Sequence, residues 1–384
     1  MYKSIKIEGF RQFDNFEIDD LGAINLFLGQ NNTGKSSILE AFYTHASGLN
    51  FNNFNKKIIC KKSYIPNNPL DAANQIRTLF YSTEAEPYRF VISTKTDESV
   101  CADKIKNNVV YEASHKLEVV FEPSAGMSSI FNNSKENGYF DASLLEEYQN
   151  AANNYIGSFE INEKSYAFNS VKIDYKHPNF SIDNKYPQSY SAILQDIPDN
   201  RYPNSDITVF YYLKRYNILE DFIAEMKEAF PVIKNIDYIP YPEGNKAPVL
   251  IITNDGKTLP LHAFGDGLIR WYHIFGNLIT FRNGIHSIEK IDSTFDPKSQ
   301  KLLTSLLLKY SKKYNNQIML SSHNLEFVNS FLFALYKNKK FIKEGEDPVR
   351  IFTLTRDKNN KLKVRKDTGR EAFERRFKYK REII

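Results

Sequence analysis

Residues 29–36 of this 384-residue chain have the types and the spacing that most directly suggest chemistry. They read Gly29-Gln30-Asn31-Asn32-Thr33-Gly34-Lys35-Ser36 and match G-x-x-x-x-G-K-[ST] at every fixed position. In such a loop the glycines let backbone N–H groups turn towards phosphate oxygens, the lysine supplies a point charge, and the serine hydroxyl binds Mg²⁺. An apolar strand precedes the loop and a helical pattern follows it, which a glycine turn with a surface lysine would not explain. The sequence therefore predicts a nucleotide-binding loop.

The ligands expected in this loop are ATP and Mg²⁺. A GTP-specific protein would need an Asn-Lys-x-Asp guanine reader, and Asn245-Lys246 is followed by Ala247-Pro248 instead. The residues predicted to bind the nucleotide here are Gly29, Gln30, Asn31, Asn32, Thr33, Gly34, Lys35, Ser36 and Ser37. Lys35 is also predicted to be catalytic, and Ser36 to be a metal ligand.

Three short motifs follow in the second half of the chain, in a fixed order. Gly265-Asp266-Gly267 opens a helix, Ser293-Thr294-Phe295-Asp296 follows an acidic segment, and His323 follows an apolar strand. With the phosphate loop they resemble the ordered motifs of ABC-type ATPases of the RecF/SMC/OLD-like group, also described as AAA-type ATP-binding proteins. The resemblance covers about residues 1–95 and 206–356.

That resemblance implies a role for each of these motifs. Gly265, Asp266 and Gly267 would form the signature motif, which caps the γ-phosphate held by another subunit, and Asp296 would belong to the nucleotide-contacting D-loop. Glu289 would be the Mg²⁺-supporting acid of Walker B and a catalytic residue. His323 would be the switch histidine that senses the γ-phosphate. The group also places an arginine near the nucleotide and uses a Q-loop glutamine, for which Arg11 and Gln75 are candidates, although a solvent-facing strand residue is the simpler interpretation of Arg11.

Two positions depart from the family pattern. Ala263 replaces a serine before the signature, and Lys290 stands where the general-base glutamate belongs. A lysine with an ordinary pKa of about 10.4 is already protonated near neutral pH and cannot accept a proton from water. We therefore expect nucleotide binding to be intact and hydrolysis to be impaired. Three alternatives stay open: Asp292 supports Mg²⁺ in a shifted register, Glu289 is the base while Ser36 alone manages Mg²⁺, or Lys290 is an exposed lysine with no role.

The elements expected around these motifs predict an α/β fold, the P-loop NTPase fold of an ABC-type ATPase head. It would have a mixed sheet, an antiparallel lobe and an inserted subdomain. Ile5 to Ile18 alternates as a hairpin, and a helix with a capping box at Ser143 and Glu146 is expected to reach Tyr155. The predicted organisation is residues 1–95 as the N-terminal lobe, 96–205 as the insertion, 206–356 as the C-terminal lobe and 357–384 as a basic tail.

Composition limits the function classes. Hydrophobic residues make up 41% and aromatic residues 14%, which excludes disorder as the dominant state. No apolar run is long enough for a membrane span, and the N-terminus lacks a signal core, so a cytoplasmic protein without a membrane partner is expected. The net charge is +5, and residues 361–384 hold ten Lys/Arg against four Asp/Glu. This tail is a possible DNA contact, although a solvated tail is the simpler interpretation.

The function expected from these observations is ATP binding with ATP-dependent head-to-head homodimerisation and slow hydrolysis, in DNA repair or antiphage defence. The first alternative is a fully active ATPase of the same fold. The second is a non-enzymatic, nucleotide-sensing scaffold that holds an effector nuclease or toxin chain.

Overall fold

A computed structural model shows two compact units, one of residues 1–21 and 40–190 and one of residues 22–39 and 191–384. The described residues are 1–47, 58, 78–81, 88–96, 114–123, 155–161, 164–168, 191–196, 203–239, 248–336 and 347–379. None of the helices in these ranges combines the length and the apolarity that a bilayer crossing requires.

An antiparallel sheet forms the first unit. Its strands are β1 (Tyr2–Phe10), β2 (Phe13–Ile18), β4 (Tyr88–Thr96), β5 (Ser114–Pro123), β6 (Tyr155–Ile161) and β7 (Lys164–Phe168), in the order β2-β1-β4-β5-β6-β7. The predicted hairpin is confirmed, because β1 and β2 pair with Ile5 opposite Ile18. Ile5 and Ile7 of β1 are buried while Lys6 and Glu8 are not, so the middle of the strand has the period of two of a one-sided strand.

The stretch predicted as an inserted subdomain is divided between the two units. Strands β5 to β7 extend the antiparallel sheet of the first unit, and Tyr155 begins β6 instead of ending a helix. The other residues of that predicted helix, including Ser143 and Glu146, lie outside the described residues. From residue 191 onwards the chain belongs to the second unit.

The second unit is built on a sheet with the strand order β15-β14-β3-β13-β12-β8. The strands are β3 (Ile24–Gly29), β8 (Ser191–Gln195), β12 (Gly284–Ile288), β13 (Gln317–Ser322), β14 (Val349–Arg356) and β15 (Leu362–Thr368). All neighbours are parallel except β14 and β15. A separate three-stranded sheet contains β9 (Ile233–Tyr238), β10 (Val249–Thr253) and β11 (Thr258–Pro260).

The helices of the second unit contribute much of its apolar core. They are α2 (Pro203–Arg215), α3 (Leu219–Ala229), α4 (Asp266–Thr280), α5 (Pro297–Tyr314), α6 (Leu325–Tyr336) and α7 (Gly369–Phe373). Helix α1 (Lys35–Ala46) follows β3, and the division between the two units falls within it, after residue 39. Trp271 and Phe275 of α4 pack against each other in the core and are fully buried. The apolar spacing of the sequence predicts helices over 267–281, 297–311 and 324–336, and α4, α5 and α6 confirm them with ends that differ by up to three residues.

The segment predicted as a basic tail is largely folded in this structure. β15 pairs with β14 along its whole length, from Arg350 opposite Thr368 to Arg356 opposite Leu362. The buried carboxylate of Asp367 holds this segment in place. It forms ion pairs with Arg365, whose Nε lies at 3.1 Å, and with Arg375. Part of the positive charge of this segment is therefore used inside the protein.

Candidate functional site

The carboxyl ends of five parallel strands lie at one edge of the second unit's sheet, where α/β proteins commonly bind ligands. β3 leads into the 29–36 loop at this edge, between β14 and β13. β12 ends beside β13, with Ile288 opposite Leu320, and β8 is the next strand, with Gln195 opposite Ile288. Segments far apart in the sequence therefore meet here.

The 29–36 loop has the backbone that its glycines were expected to provide. Gly29 has φ +146°, and a Cβ there would lie 2.4 Å from the carbonyl oxygen of Leu354. Gly34 also has a positive φ, of 100°. Both the left-handed backbone and the close approach of β14 therefore exclude a larger residue at Gly29.

Lys35 folds back over this loop. Its Nζ donates hydrogen bonds to the carbonyl oxygens of Gly29, at 2.7 Å, and Gln30, at 2.6 Å. Burial lowers the pKa of Lys35 below its ordinary value, while the negative charges of Glu289 and Asp292 oppose that effect and the positive charge of Lys290 adds to it. These charged side chains therefore share one electrostatic environment.

Ser36 and Glu289 are in direct contact although 253 positions separate them. The Ser36 hydroxyl donates a short hydrogen bond to Glu289 Oε1. Glu289 is 7% exposed, and its backbone N–H donates to the carbonyl oxygen of Gln195 at 2.9 Å. The structure thus brings together a hydroxyl and a carboxylate, which are hard oxygen donors of the kind that Mg²⁺ prefers. This contact also favours the register in which Glu289, and not Asp292, faces Ser36.

The turn after Glu289 is tightly held. Lys290 adopts a left-handed conformation with φ +50°, and its N–H donates to Ser321 Oγ at 3.0 Å. Arg270 of α4 is 2% exposed, and its Nη2 donates to the carbonyl oxygens of Glu289, at 2.6 Å, and Lys290, at 2.9 Å. A buried cation on the helix of the proposed signature motif therefore fixes the segment that carries Glu289 and Lys290.

Asp292 lies in the same turn and is 9% exposed. Its Oδ1 is buried without a hydrogen-bond partner among the described residues. Unpaired buried carboxylate oxygens are costly and tend to occur where a ligand or catalytic group is needed. Asp292 is therefore a second buried acid in the turn that carries Glu289.

Gly265, Asp266 and Gly267 lie at the beginning of α4, as predicted. Gly265 is the N-cap residue, and both Gly265 and Asp266 are exposed. A Cβ on Gly267 would lie 2.7 Å from the carbonyl oxygen of Thr294, so this position requires a glycine. The beginning of α4 thus packs against the predicted D-loop within one chain.

Asp296 and His323, the last two predicted site residues, lie at the beginning of a helix and at the end of a strand. The Asp296 carboxylate caps α5 by accepting from the backbone N–H groups of Lys298 and Ser299, and the Ser299 hydroxyl hydrogen bond lowers its pKa. His323 is exposed and follows Ser322, which is opposite Leu28 of β3. His323 is therefore one residue beyond the strand that borders the phosphate loop.

The side chain of Arg11 makes several contacts within the first unit. Its Nε forms an ion pair with Glu40 Oε2 of α1 at 2.9 Å, and its guanidinium also donates to Thr78 Oγ1 at 2.7 Å and to the carbonyl oxygen of Ile58 at 2.8 Å. The side chain is therefore not simply solvent-facing, and its place near the nucleotide stays a prediction. Gln75, the Q-loop candidate, lies outside the described residues.

Two residues at the strand-end edge were missed by the sequence analysis. Gln195 ends β8 beside Glu289, and its side-chain Oε1 is buried with no partner among the residues described. Arg356 ends β14, and its Nε donates to the carbonyl oxygen of Asn32, in the loop, at 3.4 Å. The short apolar run 192–194 before Gln195 was the available signal for β8, but its place beside β12 is a long-range pairing.

Comparisons with known proteins agree with this geometry. Residues 1–328 match the family described as AAA ATPase domain. An ATP/GTP phosphatase of Helicobacter pylori (strain ATCC 700392 / 26695) is 20% identical over 366 residues, which cover 93% of each chain.

Among solved structures, similar folds are found in SMC heads. An SMC head bound to the C-terminal winged-helix domain of ScpA has a TM-score of 0.54 at 13% identity, over 97% of this chain and 99% of that one. The head domain of SMC with an extended coiled coil, bound to the C-terminal domain of ScpA from Pyrococcus furiosus, has a TM-score of 0.52 at 12% identity, over 99% of both chains. The predicted P-loop fold of an SMC-type head is confirmed.

Proposed function

The chain belongs to the AAA ATPase domain family, and from this premise we propose that it binds ATP with Mg²⁺ in the second unit, hydrolyses it slowly and forms head-to-head dimers. One observation carries the proposal. The Ser36 hydroxyl contacts Glu289, while the next residue, Lys290, is a cation where a base is needed.

The residues present fit a nucleotide and a divalent cation. Backbone N–H groups of the 29–36 loop and the beginning of α1 would hold the phosphates, with Lys35 as their counter-charge. Ser36 and Glu289 would hold Mg²⁺, which usually takes few protein ligands and completes its shell with water and phosphate oxygens. When bound, the ion neutralises part of the triphosphate charge. Gln195 is our candidate for the glutamine contact that Gln75 was expected to provide.

Slow hydrolysis follows from the charges in the turn after β12. A protonated lysine cannot take a proton from the attacking water, and phosphoryl transfer depends on how that water is positioned. Lys290 stands at the position of the residue that would ordinarily activate water. Glu289 does not take over this role, because its carboxylate already accepts the hydrogen bond of the Ser36 hydroxyl.

Full ATPase activity is the second candidate, and Asp292 is the observation that favours it. This buried carboxylate, with an oxygen lacking a partner in the described part of the chain, lies close enough to Lys35 to influence its pKa. It is a possible acceptor for the proton of the attacking water. The Helicobacter relative is named an ATP/GTP phosphatase, so GTP should be assayed beside ATP.

Dimerisation is supported by the exposed beginning of α4. Gly265 and Asp266 face solvent, and a Cβ on Gly265 would meet no atom within 4 Å. A helix N-terminus favours anions, so a second subunit could present its bound γ-phosphate there. His323 would sense the γ-phosphate from the end of β13, next to the strand that leads into the phosphate loop of its own chain. We include in the proposal a setting in DNA repair or antiphage defence with a separate effector chain, for which the family resemblance is the support.

The test is phosphate release from ATP and GTP with Mg²⁺, at high protein concentration. We expect slow release by the wild type and none by Lys35→Ala. Lys290→Glu is expected to raise turnover at least tenfold, because a positioned general base typically contributes a factor of a hundred or more. An unchanged or lower rate would contradict the assignment of position 290. Rapid wild-type turnover that Asp292→Asn abolishes would support the second candidate. Binding without turnover in any variant would favour a scaffold that senses nucleotide, to be followed by capture of partner proteins with and without ATP.

A further inference from the structure

The charge at position 290 has a structural setting of its own. Lys290 follows directly on Glu289, whose carboxylate contacts Ser36 at the beginning of the phosphate-loop helix. Its side chain is partly buried, so it does not simply extend into solvent. The fold therefore places Lys290 next to a residue that contacts the phosphate-loop helix.

Hydrogen bonds hold both the backbone N–H and the carbonyl oxygen of Lys290. The N–H donates to Ser321 Oγ at 3.0 Å, and the carbonyl oxygen accepts from Arg270 Nη2 at 2.9 Å and from the N–H of Ser293 at 3.0 Å. A left-handed backbone at a residue other than glycine, here with φ +50°, persists only where its surroundings impose it. The Cα–Cβ direction of Lys290 is therefore fixed by the fold.

The ammonium group has no protein partner in the described ranges. No hydrogen bond or ion pair joins Lys290 Nζ to another described residue, although two carboxylates, of Glu289 and Asp292, are near. Glu289 is occupied by Ser36, and Asp292 Oδ1 has no partner in the same ranges.

We propose that Lys290 binds the terminal phosphate of a nucleoside triphosphate, as a second cation beside Lys35. This inference rests on the proposed nucleotide site and defines its selectivity. Lys35 lies at the beginning of α1, after β3, whereas Lys290 follows β12, two strands away in the sheet, directly after the Glu289 carboxylate that contacts Ser36. A glutamate at position 290 would repel the γ-phosphate, whereas a lysine attracts it.

The consequence is selectivity for the triphosphate over the diphosphate. ADP lacks the phosphate that Lys290 would contact, so the lysine adds little to its affinity. A lysine in place of the expected glutamate at position 290 would therefore have two effects. It removes a base from the site, and it favours the binding of ATP over that of ADP.

The experiment measures equilibrium binding of a non-hydrolysable ATP analogue and of ADP, with Mg²⁺, to the full chain and its variants. Lys290→Met is expected to weaken the analogue about tenfold, the range of one charge-assisted hydrogen bond, and ADP less than twofold. Lys290→Glu should weaken the analogue further, and Lys290→Arg should retain the preference. Lys301→Met, an exposed lysine of α5, is the matched control and should change neither affinity. Thermal unfolding of each variant verifies that it is folded.

Two outcomes separate the inference from the proposal beneath it. If Lys290→Met weakens the analogue and ADP equally, or neither, the assignment of Lys290 to the terminal phosphate is wrong while the nucleotide site stands. If Lys35→Ala leaves both affinities unchanged, the nucleotide site itself is wrong, and the inference falls with it.

Discussion

Replacing Arg270 by methionine is expected to destabilise the second unit and to loosen the turn that carries Glu289 and Lys290. Arg270 is 2% exposed, and one of its nitrogens, Nη2, bonds the carbonyl oxygens of both residues. Methionine has a similar length and fills much of the same space, so the change removes mainly the charge and the hydrogen bonds.

Two opposing free-energy contributions determine how much stability the methionine variant loses. Hydrogen bonds from a charged donor contribute about 1.5–3 kcal/mol each, so the loss of two would cost about 3–6 kcal/mol. Removing a buried guanidinium also removes its desolvation penalty, which is itself several kcal/mol. Because the buried Glu289 carbonyl oxygen loses this donor, while the Lys290 carbonyl oxygen keeps the N–H of Ser293, we expect a net loss of about 3 kcal/mol, similar to breaking a buried polar pair.

Urea unfolding followed by tryptophan fluorescence is a suitable assay. Trp271 is the only tryptophan of the chain, is fully buried and is adjacent to Arg270 in α4. Arg270→Lys is the control, since it keeps the charge but loses the planar fork of donors, and it should lie between the wild type and Arg270→Met. A methionine variant as stable as the wild type would refute the reasoning, and would show that the desolvation penalty of Arg270 equals what its hydrogen bonds contribute.

Two further predictions concern titration and capping. Burial lowers the pKa of His286 to about 4, so the imidazole stays neutral in the fold while the unfolded chain takes up a proton near pH 6.5. The contribution of His286 to stability should therefore be complete above pH 6.5 and fall by up to about 3 kcal/mol as the pH decreases to 4. Urea unfolding at several pH values measures this slope, and His286→Gln should flatten it. Parallel slopes in the wild type and the variant would show that His286 is not the cause. Asp296→Ala should remove the cap of α5 and cost about 1 kcal/mol, without changing the ATP affinity of the monomer. A loss of affinity at unchanged stability would instead assign Asp296 to the nucleotide.

Local pattern was sufficient for the elements next to the phosphate loop. The alternation of β1 and β2, the apolar run of β3 and the spacing of α1 each come from contiguous residues, and each is confirmed. The fixed order of the motifs also indicated the fold class, through the resemblance to ABC-type ATPases that it carries.

The strand before Glu289 shows where composition misleads. His286 and Ser287 make β12 less apolar than a buried parallel strand is expected to be, yet every residue of β12 is buried. The imidazole is accommodated because its Nε2 lies 3.0 Å from the carbonyl oxygen of Phe281. Hydrogen bonding from a neighbouring turn can satisfy a polar group in a sheet, and no local pattern reveals it.

Long-range pairing accounts for the residues that sequence reasoning missed. Gln195 acquires its position because β8 pairs with β12, and Arg356 because β14 pairs with β3. The charge pattern of the last residues predicted a solvated tail, whereas the buried Asp367 draws Arg365 and Arg375 into the structure. A count of charges cannot distinguish free cations from those that a buried carboxylate has paired.

Strand β15 also determines how the sheet of the second unit ends. It is the outermost strand on its side, and its exposed positions are held by Lys363, Arg365 and Lys366. Charged edge strands discourage edge-to-edge association between protein molecules. A chain shortened to residue 360 would lose this strand and leave the β14 backbone open to pairing, so it would tend to aggregate. Charge substitutions on β15 are therefore the sounder way to ask whether this segment contacts DNA.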